Sequence, residues 1–329
     1  TGFLHRILVS ERSQTICITG GTGSYGQALT HYLIENTTVR VRILSRDEDR
    51  QETMAARFPP GPRMTYLLGD VRDPGRLGLA FDGATAVVHA AALKRINIGE
   101  EQADEFYKTN CQGSANVIRA ALDAGVSRCL LVSTDKAIHP INLYGKTKAV
   151  AESLFVQANA AGLHRGSRFA VARGGNVWGS RGSVSIRWRM QRLEGKPLTV
   201  TDLDMTRFHL PMDDWTAFCW QALCQMHGGE IFVPKLRAWR LGDLVDAFAV
   251  NGWHTNGTRP GEKQSETLLA ADEAGRAVDC GWSLVIEPPA ALRAVWNYQP
   301  WQGSPLPPGW QYASDTVERM GVEELRRLI

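Results

Sequence analysis

Six short, apolar, β-branched runs alternate with helix-spaced segments, and that alternation limits what this chain can fold into. The runs are TICITG (15–20), RVRILS (40–45), MTYLLGD (64–70), TAVVHAA (85–91), RCLLVST (128–134) and RFAVARGG (168–175). Between them, apolar residues recur at i, i+3 and i+4 over 25–35, 50–57, 74–81, 102–124 and 143–161. The pattern predicts right-handed βαβ crossovers and a parallel sheet covered on both faces. Strands buried on both faces should be almost wholly apolar, as CLLVS is. After Gly175 the alternation gives way to short segments punctuated by Gly and Pro. All ten tryptophans also lie in that second half, from Trp178 to Trp310.

The first apolar run passes into TGGTGSYG, Thr19 to Gly26, and then into a helix-patterned segment. Gly20 lets the chain turn tightly after a strand, Gly23 lets backbone approach a pyrophosphate, and Gly26 lets helix and strand pack closely. The free N–H groups of the following helix then face the anion. The spacing is GxxGxxG, and its place in the first βαβ unit makes it a dinucleotide turn, with Thr22, Ser24 and Tyr25 beside the glycines. The expectation is a Rossmann-type doubly wound α/β sheet with a smaller C-terminal α/β substrate lobe. Residues 1–175 would bind the dinucleotide, with a segment near 206–236 returning to the sheet. Residues 176–205 and 237–329 would form the lobe.

The end of the second strand reads ILSRDEDR. Ser45 and Arg46 suit the 2′-phosphate of NADP, whereas Asp47 would suit the ribose hydroxyl of NAD; NADP is favoured and NAD stays open. Asp70 and Val71, after the third strand, are placed to meet the adenine, unless Asp70 caps the helix that follows.

Bulk properties narrow the function further. The 329 residues carry a net charge of +3 with scattered Lys and Arg, which argues against a nucleic-acid partner. No apolar run nears the ~18 residues of a membrane span, and the first 14 residues, TGFLHRILVSERSQ, lack the features of a signal peptide. Six cysteines without a CxxC read as reduced core residues of a cytoplasmic protein, and no His/Cys spacing suggests a metal.

The chemistry concentrates in STDKAIHPINLYGKTK, 133–148. Tyr144 and Lys148 are four apart at a helix start and share one face. A phenol with a pKa near ~10 becomes a usable base only where cations stabilise its phenolate, here Lys148 and an oxidised nicotinamide. Thr134 can hydrogen-bond a substrate hydroxyl. By spacing alone Asp135–Lys136 is equally a surface ion pair in a turn.

TGGTGSYG, GDVRD, HAAALKR, STDKAIHPINLYGKTK, GGNVWGSRGSV, MTRF, HGGEIFVPK and RPGEK occur in that order. Over about residues 15–270 the chain thereby resembles the extended short-chain dehydrogenases/reductases. Within them it is most similar to the inverting UDP-N-acetylglucosamine 4,6-dehydratases of polysaccharide and pseudaminic acid biosynthesis. Retaining members resemble one another in an Asp–Glu pair where this chain has Asp135–Lys136. The resemblance implies that Tyr144 takes the sugar 4-hydroxyl proton as hydride leaves carbon 4. Lys136 would then remove the carbon-5 proton, and Asp135 would protonate the departing 6-hydroxyl. These roles ask for a neutral Lys136 and a protonated Asp135. The same resemblance puts Ala90, Ala91 and Lys94 beside the nicotinamide. It puts Lys94, Asn176, Arg181, Ser183, Arg207, Arg259 and Glu262 around the UDP-sugar. It also makes helices 102–124 and 143–161 a homo-oligomer interface, in a dimer or hexamer.

The chain departs from the pattern where RYGNV becomes RGGNV at Gly174, where KHVP becomes RINI at 95–98, and where an Asn-Pro near 103 is absent. Two rival readings remain. A UDP-hexose 4-epimerase needs the Tyr/Lys pair but not Asp135–Lys136, and a non-catalytic NADP-binding scaffold needs neither.

Overall fold

The computed structural model describes residues 14–328; the expectations for the first 14 residues fall almost wholly outside them. Strands β1 (Thr15–Thr19), β2 (Arg40–Ser45), β3 (Met64–Leu68), β4 (Ala86–His89), β5 (Arg128–Thr134) and β6 (Arg168–Gly174) form a parallel sheet in the order β3-β2-β1-β4-β5-β6. Strand Ile231–Pro234 continues it in parallel beside β6. Alternation predicts nothing about the far edge. There Ser283–Ile286, Ala277–Asp279 and Ser304–Pro305 add antiparallel strands, so the sheet reaches ten strands among the described residues. Part of the stretch expected in the substrate lobe therefore extends the main sheet.

Alternate residues of each central strand feed opposite cores. Cys17 of β1 and Phe169 and Val171 of β6 face the side that holds Phe155, while Ile16, Ile18, Ala170 and Ala172 face the side that holds Trp215. All are almost fully buried, and each large side chain contributes roughly 1.5–3 kcal/mol of transfer free energy. A third core, around Trp188, Leu198, Trp239, Leu244 and Phe248, belongs to the C-terminal part.

The connecting helices are α1 (Ser24–Asn36), α2 (Glu48–Arg57), α3 (Pro74–Phe81), α4 (Ile96–Glu101), α5 (Ala103–Phe106), α6 (Gly113–Asp123) and α7 (Leu143–Gly162). The helix expected over 102–124 runs from Ala103 to Asp123, with one wider stretch inside it. Gln102 leaves helical geometry at φ −130°, and a π-helical stretch, Tyr107–Gln112, joins α5 to α6. Such a widened turn re-aims one side chain, here Asn110.

One departure from the resemblance has a packing explanation. A Cβ on Gly174 would lie 2.8 Å from Cη2 of Trp215, which stands on helix Met212–Gln225. The indole fills the space beside this glycine, where the resemblance leads one to expect an aromatic.

Candidate functional site

The glycine turn leaves β1 with Gly20 at φ +67°, a conformation that favours glycine. A Cβ there would also sit 2.8 Å from the Ala91 backbone, and one on Gly26 would strike the Gly21 backbone. Gly21, overlooked in the motif, is packed against Ile43, whose Cγ2 would be 2.7 Å from an added Cβ. Gly23 differs. An added Cβ would meet nothing but the Gly20 carbonyl, at 3.1 Å, and α1 begins there without a side-chain cap. Open space over uncapped N–H groups fits a pyrophosphate. Thr22 is buried, and Ser24 Oγ accepts from the Arg181 backbone N–H at 3.1 Å, drawing the 176–183 loop over the turn. The Tyr25 ring points the other way, 6.2 Å from Trp215.

At the end of β2, Asp47 caps α2 by accepting from Arg50 N at 3.0 Å and pairs with Arg50 Nε at 2.9 Å. Ser45 is buried and accepts from Gln51 Nε2, while the half-exposed Arg46 lies 3.6 Å from Asp70. Asp70 does not cap α3; Asp73 does, accepting from Arg76 N. Asp70 instead takes Arg72 N and Nη2, which hold its carboxyl below the usual range against the opposing effect of its partial burial. Val71 is buried against Gly113, where a Cβ would come within 2.8 Å.

Ala90 and Ala91 follow β4, and their N–H groups meet Thr19 O and Thr19 Oγ1. Asn110, on the π-helical stretch, binds Leu93 N and Leu93 O, each at 2.9 Å, and Thr147 Oγ1 at 3.0 Å. It fixes the 90–94 loop to α7, and motif matching gave no sign of it. Lys94 is exposed along its length, yet desolvation and the Lys136, Arg181 and Arg95 charges lower its pKa.

The end of β5 carries the densest chemistry. Asp135–Ala137 form one 3-10 turn against which α7 is seated, and a Cβ on Gly145 would collide with the Lys136 carbonyl. Asn142 caps α7 through Gly145 N at 2.8 Å and donates to Gly261 O at 2.8 Å, joining α7 to the RPGEK loop. Asp135 is 0% exposed. Its Oδ1 accepts from Thr134 Oγ1 at 2.9 Å and from Lys136 Nζ at 3.0 Å. The carboxylate is thus closed off from water while the Lys136 side chain stays partly open, unlike a surface ion pair.

Glu266 is the residue sequence reasoning missed. It is 2% exposed, and its Oε1 lies 3.2 Å from Lys136 Nζ on the other side from Asp135. Burial acts to lower the Lys136 pKa, but the two carboxylates outweigh it and the net shift is upward. The expected neutral amine is therefore an ammonium here, held by two anions. Burial pushes the Glu266 carboxyl up, against the pull of Lys136.

Tyr144 opens to the same space. Burial raises its phenol to about 12, opposed by the Lys136 charge and the Thr134 hydroxyl. Lys148, expected to be the stabilising cation, donates instead to Val132 O at 2.9 Å. Burial lowers its pKa to about 8, with Glu152 opposing.

The remaining residues surround the cleft less closely. Asn176 and Arg181 are exposed, and Ser183 Oγ lies 3.0 Å from Ser185 Oγ where helix Val184–Leu193 begins. Arg259 lies 3.8 Å from Glu262. Arg207, expected on the UDP group, spends its donors on the carbonyls of Thr206, Lys263 and Gln264, because the RPGEK loop needs a clamp. Arg187, which motif matching passed over, stands beside Arg259 and Glu262 with a buried Nε that has no hydrogen-bond partner.

Among the described residues no helix is long and apolar enough to cross a membrane, and no cluster of three His, Cys, Asp or Glu side chains could hold a metal.

Comparison with known proteins agrees with this geometry. A "UDP-N-acetylglucosamine 4,6-dehydratase (inverting)" of Campylobacter jejuni is 44% identical over 264 residues, covering 79% of each chain. A "UDP-glucose 4-epimerase" of Rickettsia bellii is 37% identical, covering 82% of this chain and 81% of its own. The crystal structure of Pen from Bacillus thuringiensis superposes with a TM-score of 0.89 at 31% identity, covering 98% of each chain. The polysaccharide biosynthesis protein family matches residues 16–288, and this chain belongs to that family, on the scaffold of the extended short-chain dehydrogenases/reductases.

Proposed function

We propose that the protein is a nucleotide-sugar 4,6-dehydratase acting on UDP-N-acetylglucosamine or a close UDP-hexosamine, using NADP and inverting carbon 5. The observation that carries this reading is the Asp135–Lys136 pair, its carboxylate fully buried and its amine partly open to the cleft beside Tyr144.

The open cradle at Gly23 and the uncapped start of α1 suit the dinucleotide pyrophosphate. Asp47 is occupied as a helix cap, which leaves Ser45 and Arg46 for a 2′-phosphate and favours NADP over NAD. Bound there, the oxidised cofactor supplies a hydride acceptor and a positive charge next to Tyr144. Tyr144 takes the 4-hydroxyl proton. The resulting 4-ketone acidifies the carbon-5 hydrogen, which Lys136 Nζ removes. That proton crosses the Nζ–Oδ1 hydrogen bond, and Asp135 delivers it to the departing 6-hydroxyl as water leaves. Lys148, wedged under α7, holds a local positive charge without touching the sugar.

Lys94, Asn176, Arg181, Ser183, Arg187, Arg259 and Glu262 rim the cleft, and they are the side chains we assign to the UDP group. Guanidinium forks suit its pyrophosphate. The division of labour is a cofactor half, 1–175 with 206–236, and a substrate lobe. A homo-oligomer through α6 and α7 agrees with the exposed Val150 on α7 and Tyr107 just before α6. The six cysteines are free thiols, five of them buried, consistent with a reducing, cytoplasmic setting.

The Rickettsia relative favours one rival, a 4-epimerase. Incubation with UDP-N-acetylglucosamine in heavy water, followed by NMR, separates them. The dehydratase yields a new methyl signal, deuterium at carbon 5 and an L-configured keto sugar. A gluco/galacto mixture without a methyl signal would establish the epimerase instead.

A further inference from the structure

The dehydration poses a protonation problem that Asp135 and Lys136 do not solve alone. The pair passes one proton, from carbon 5 through Nζ to the departing hydroxyl, while inversion brings the proton that returns to carbon 5 to the opposite face. Lys136 must begin as a free amine, yet it stands as an ammonium between two carboxylates. A third proton-holding group in contact with Nζ would meet that need.

Glu266 has that position. Its Oε1 is 3.2 Å from Lys136 Nζ, and its Oε2 is buried with no hydrogen-bond partner. Its backbone is tied down by Ser314, through Glu266 N to Ser314 Oγ at 2.9 Å and Ser314 N to Glu266 O at 2.9 Å. Other charged or titratable groups face this cluster. They are Asp135 from the 3-10 turn, Tyr144 from α7, Lys94 from the loop after β4, Lys263 from the RPGEK loop and Arg207, whose Nε is 4.0 Å from Glu266. Arg207 and Lys263 are committed to backbone carbonyls. Asp135 serves the leaving group, so Glu266 is the carboxylate left to serve the amine.

We propose that Glu266 is the proton-holding partner of Lys136. When substrate fills the cleft, Nζ passes one proton to Glu266, giving a neutral amine and a neutral carboxyl with no change in net charge. The amine then takes the carbon-5 proton and hands it to Asp135. After water has left, carbon 5 takes a solvent proton on its opposite face, Tyr144 gives up its proton to solvent, and Glu266 returns its proton to Nζ, which restores the ammonium. Glu266 never touches the sugar; it is a positioning residue that acts through Lys136. A buried carboxyl is suited to the task, since burial favours its neutral form.

This inference rests on Lys136 as the carbon-5 base, and the test separates the two. Glu266→Gln keeps the shape but cannot hold a proton. Reduced-nicotinamide absorbance in a single turnover reads the Tyr144 step, and loss of carbon-5 deuterium from labelled UDP-N-acetylglucosamine reads the Lys136 step. The expected result is unchanged cofactor reduction and substrate KM, with carbon-5 loss slower by ~10²-fold. That deficit should shrink as pH rises and Lys136 loses its proton unaided. Glu266→Asp, which keeps a titratable carboxyl, should recover most of the rate. Three results would overturn the inference. One is a Gln variant at wild-type speed. Another is loss of both steps or of the fold. The third is a pH-independent deficit that Asp does not relieve. If the wild type itself releases no carbon-5 deuterium, the dehydratase reading fails, whatever Glu266 does.

Discussion

Two lysines flank Tyr144, Lys148 buried and Lys136 partly so, and their surroundings are opposite. Lys148 meets a carbonyl, Val132 O, and burial brings its pKa down to about 8. Lys136 meets two carboxylates, and its pKa goes up. Identical side chains acquire opposite tendencies because Coulombic pairing outweighs desolvation at one site and not at the other. The Lys148 region is also braced. The guanidinium of Arg173 is buried between Glu152 and Glu273, at 2.6 and 2.9 Å. Glu152 is thereby shared between Arg173 and the field at Lys148. In the proposed mechanism one region is a fixed charge beneath the hydride step, and the other is a proton-transfer cluster that joins two parts of the chain.

That contrast can be broken by mutation. Tyr144→Phe, which removes the group both regions share, is expected to lower turnover by ~10²–10⁴-fold and to abolish cofactor reduction in a single turnover. Arg173→Met leaves buried Glu152 without its guanidinium and Glu273 with only the more distant Arg276, at 3.7 Å. It is expected to cost about 3–5 kcal/mol, read from chemical denaturation, and to be far more damaging than loss of the exposed Arg165–Asp123 pair. Arg46→Ala removes one exposed charge-assisted contact. It should weaken NADP binding by roughly tenfold, about 1.4 kcal/mol, and leave NAD binding unchanged in fluorescence titration.

The smallest effect is the pH dependence of stability at Lys148. Between its folded value, about 8, and the ordinary 10.5, the unfolded chain binds a proton that the folded chain does not. Lys148 therefore makes stability rise with pH across that window. The Tm of the wild type should gain on that of Lys148→Met between pH 8 and 10, and parallel curves would contradict the assigned shift.

The cofactor half was legible because strand and helix periods are local properties of sequence. TICITG, RVRILS and RCLLVST each became a strand within a residue or two of the expected bounds. Asp135, Lys136 and Tyr144 were legible through one continuous motif. Glu266 was not, since it meets Lys136 from a loop 130 residues on, and only tertiary structure joins them. Arg207 was misjudged for a related reason. A guanidinium in a motif has donors to spare only if no backbone claims them, and the carbonyls of Lys263 and Gln264 do. The antiparallel edge was hidden because its strands are three or four residues long or shorter, too short to show a period. The π-helical stretch inside 102–124 left no trace in the apolar spacing, so the part played by Asn110 was not legible.

A single-turnover trace of reduced-nicotinamide absorbance with Lys136→Met and UDP-N-acetylglucosamine most directly tests the separation of hydride and proton chemistry. With Lys148 and Tyr144 intact and the carbon-5 base gone, the signal should rise at the wild-type rate and then persist, with no methyl product. A trace that never rises, or one that rises and decays into product, would contradict the assignment of Lys136 to the proton step alone.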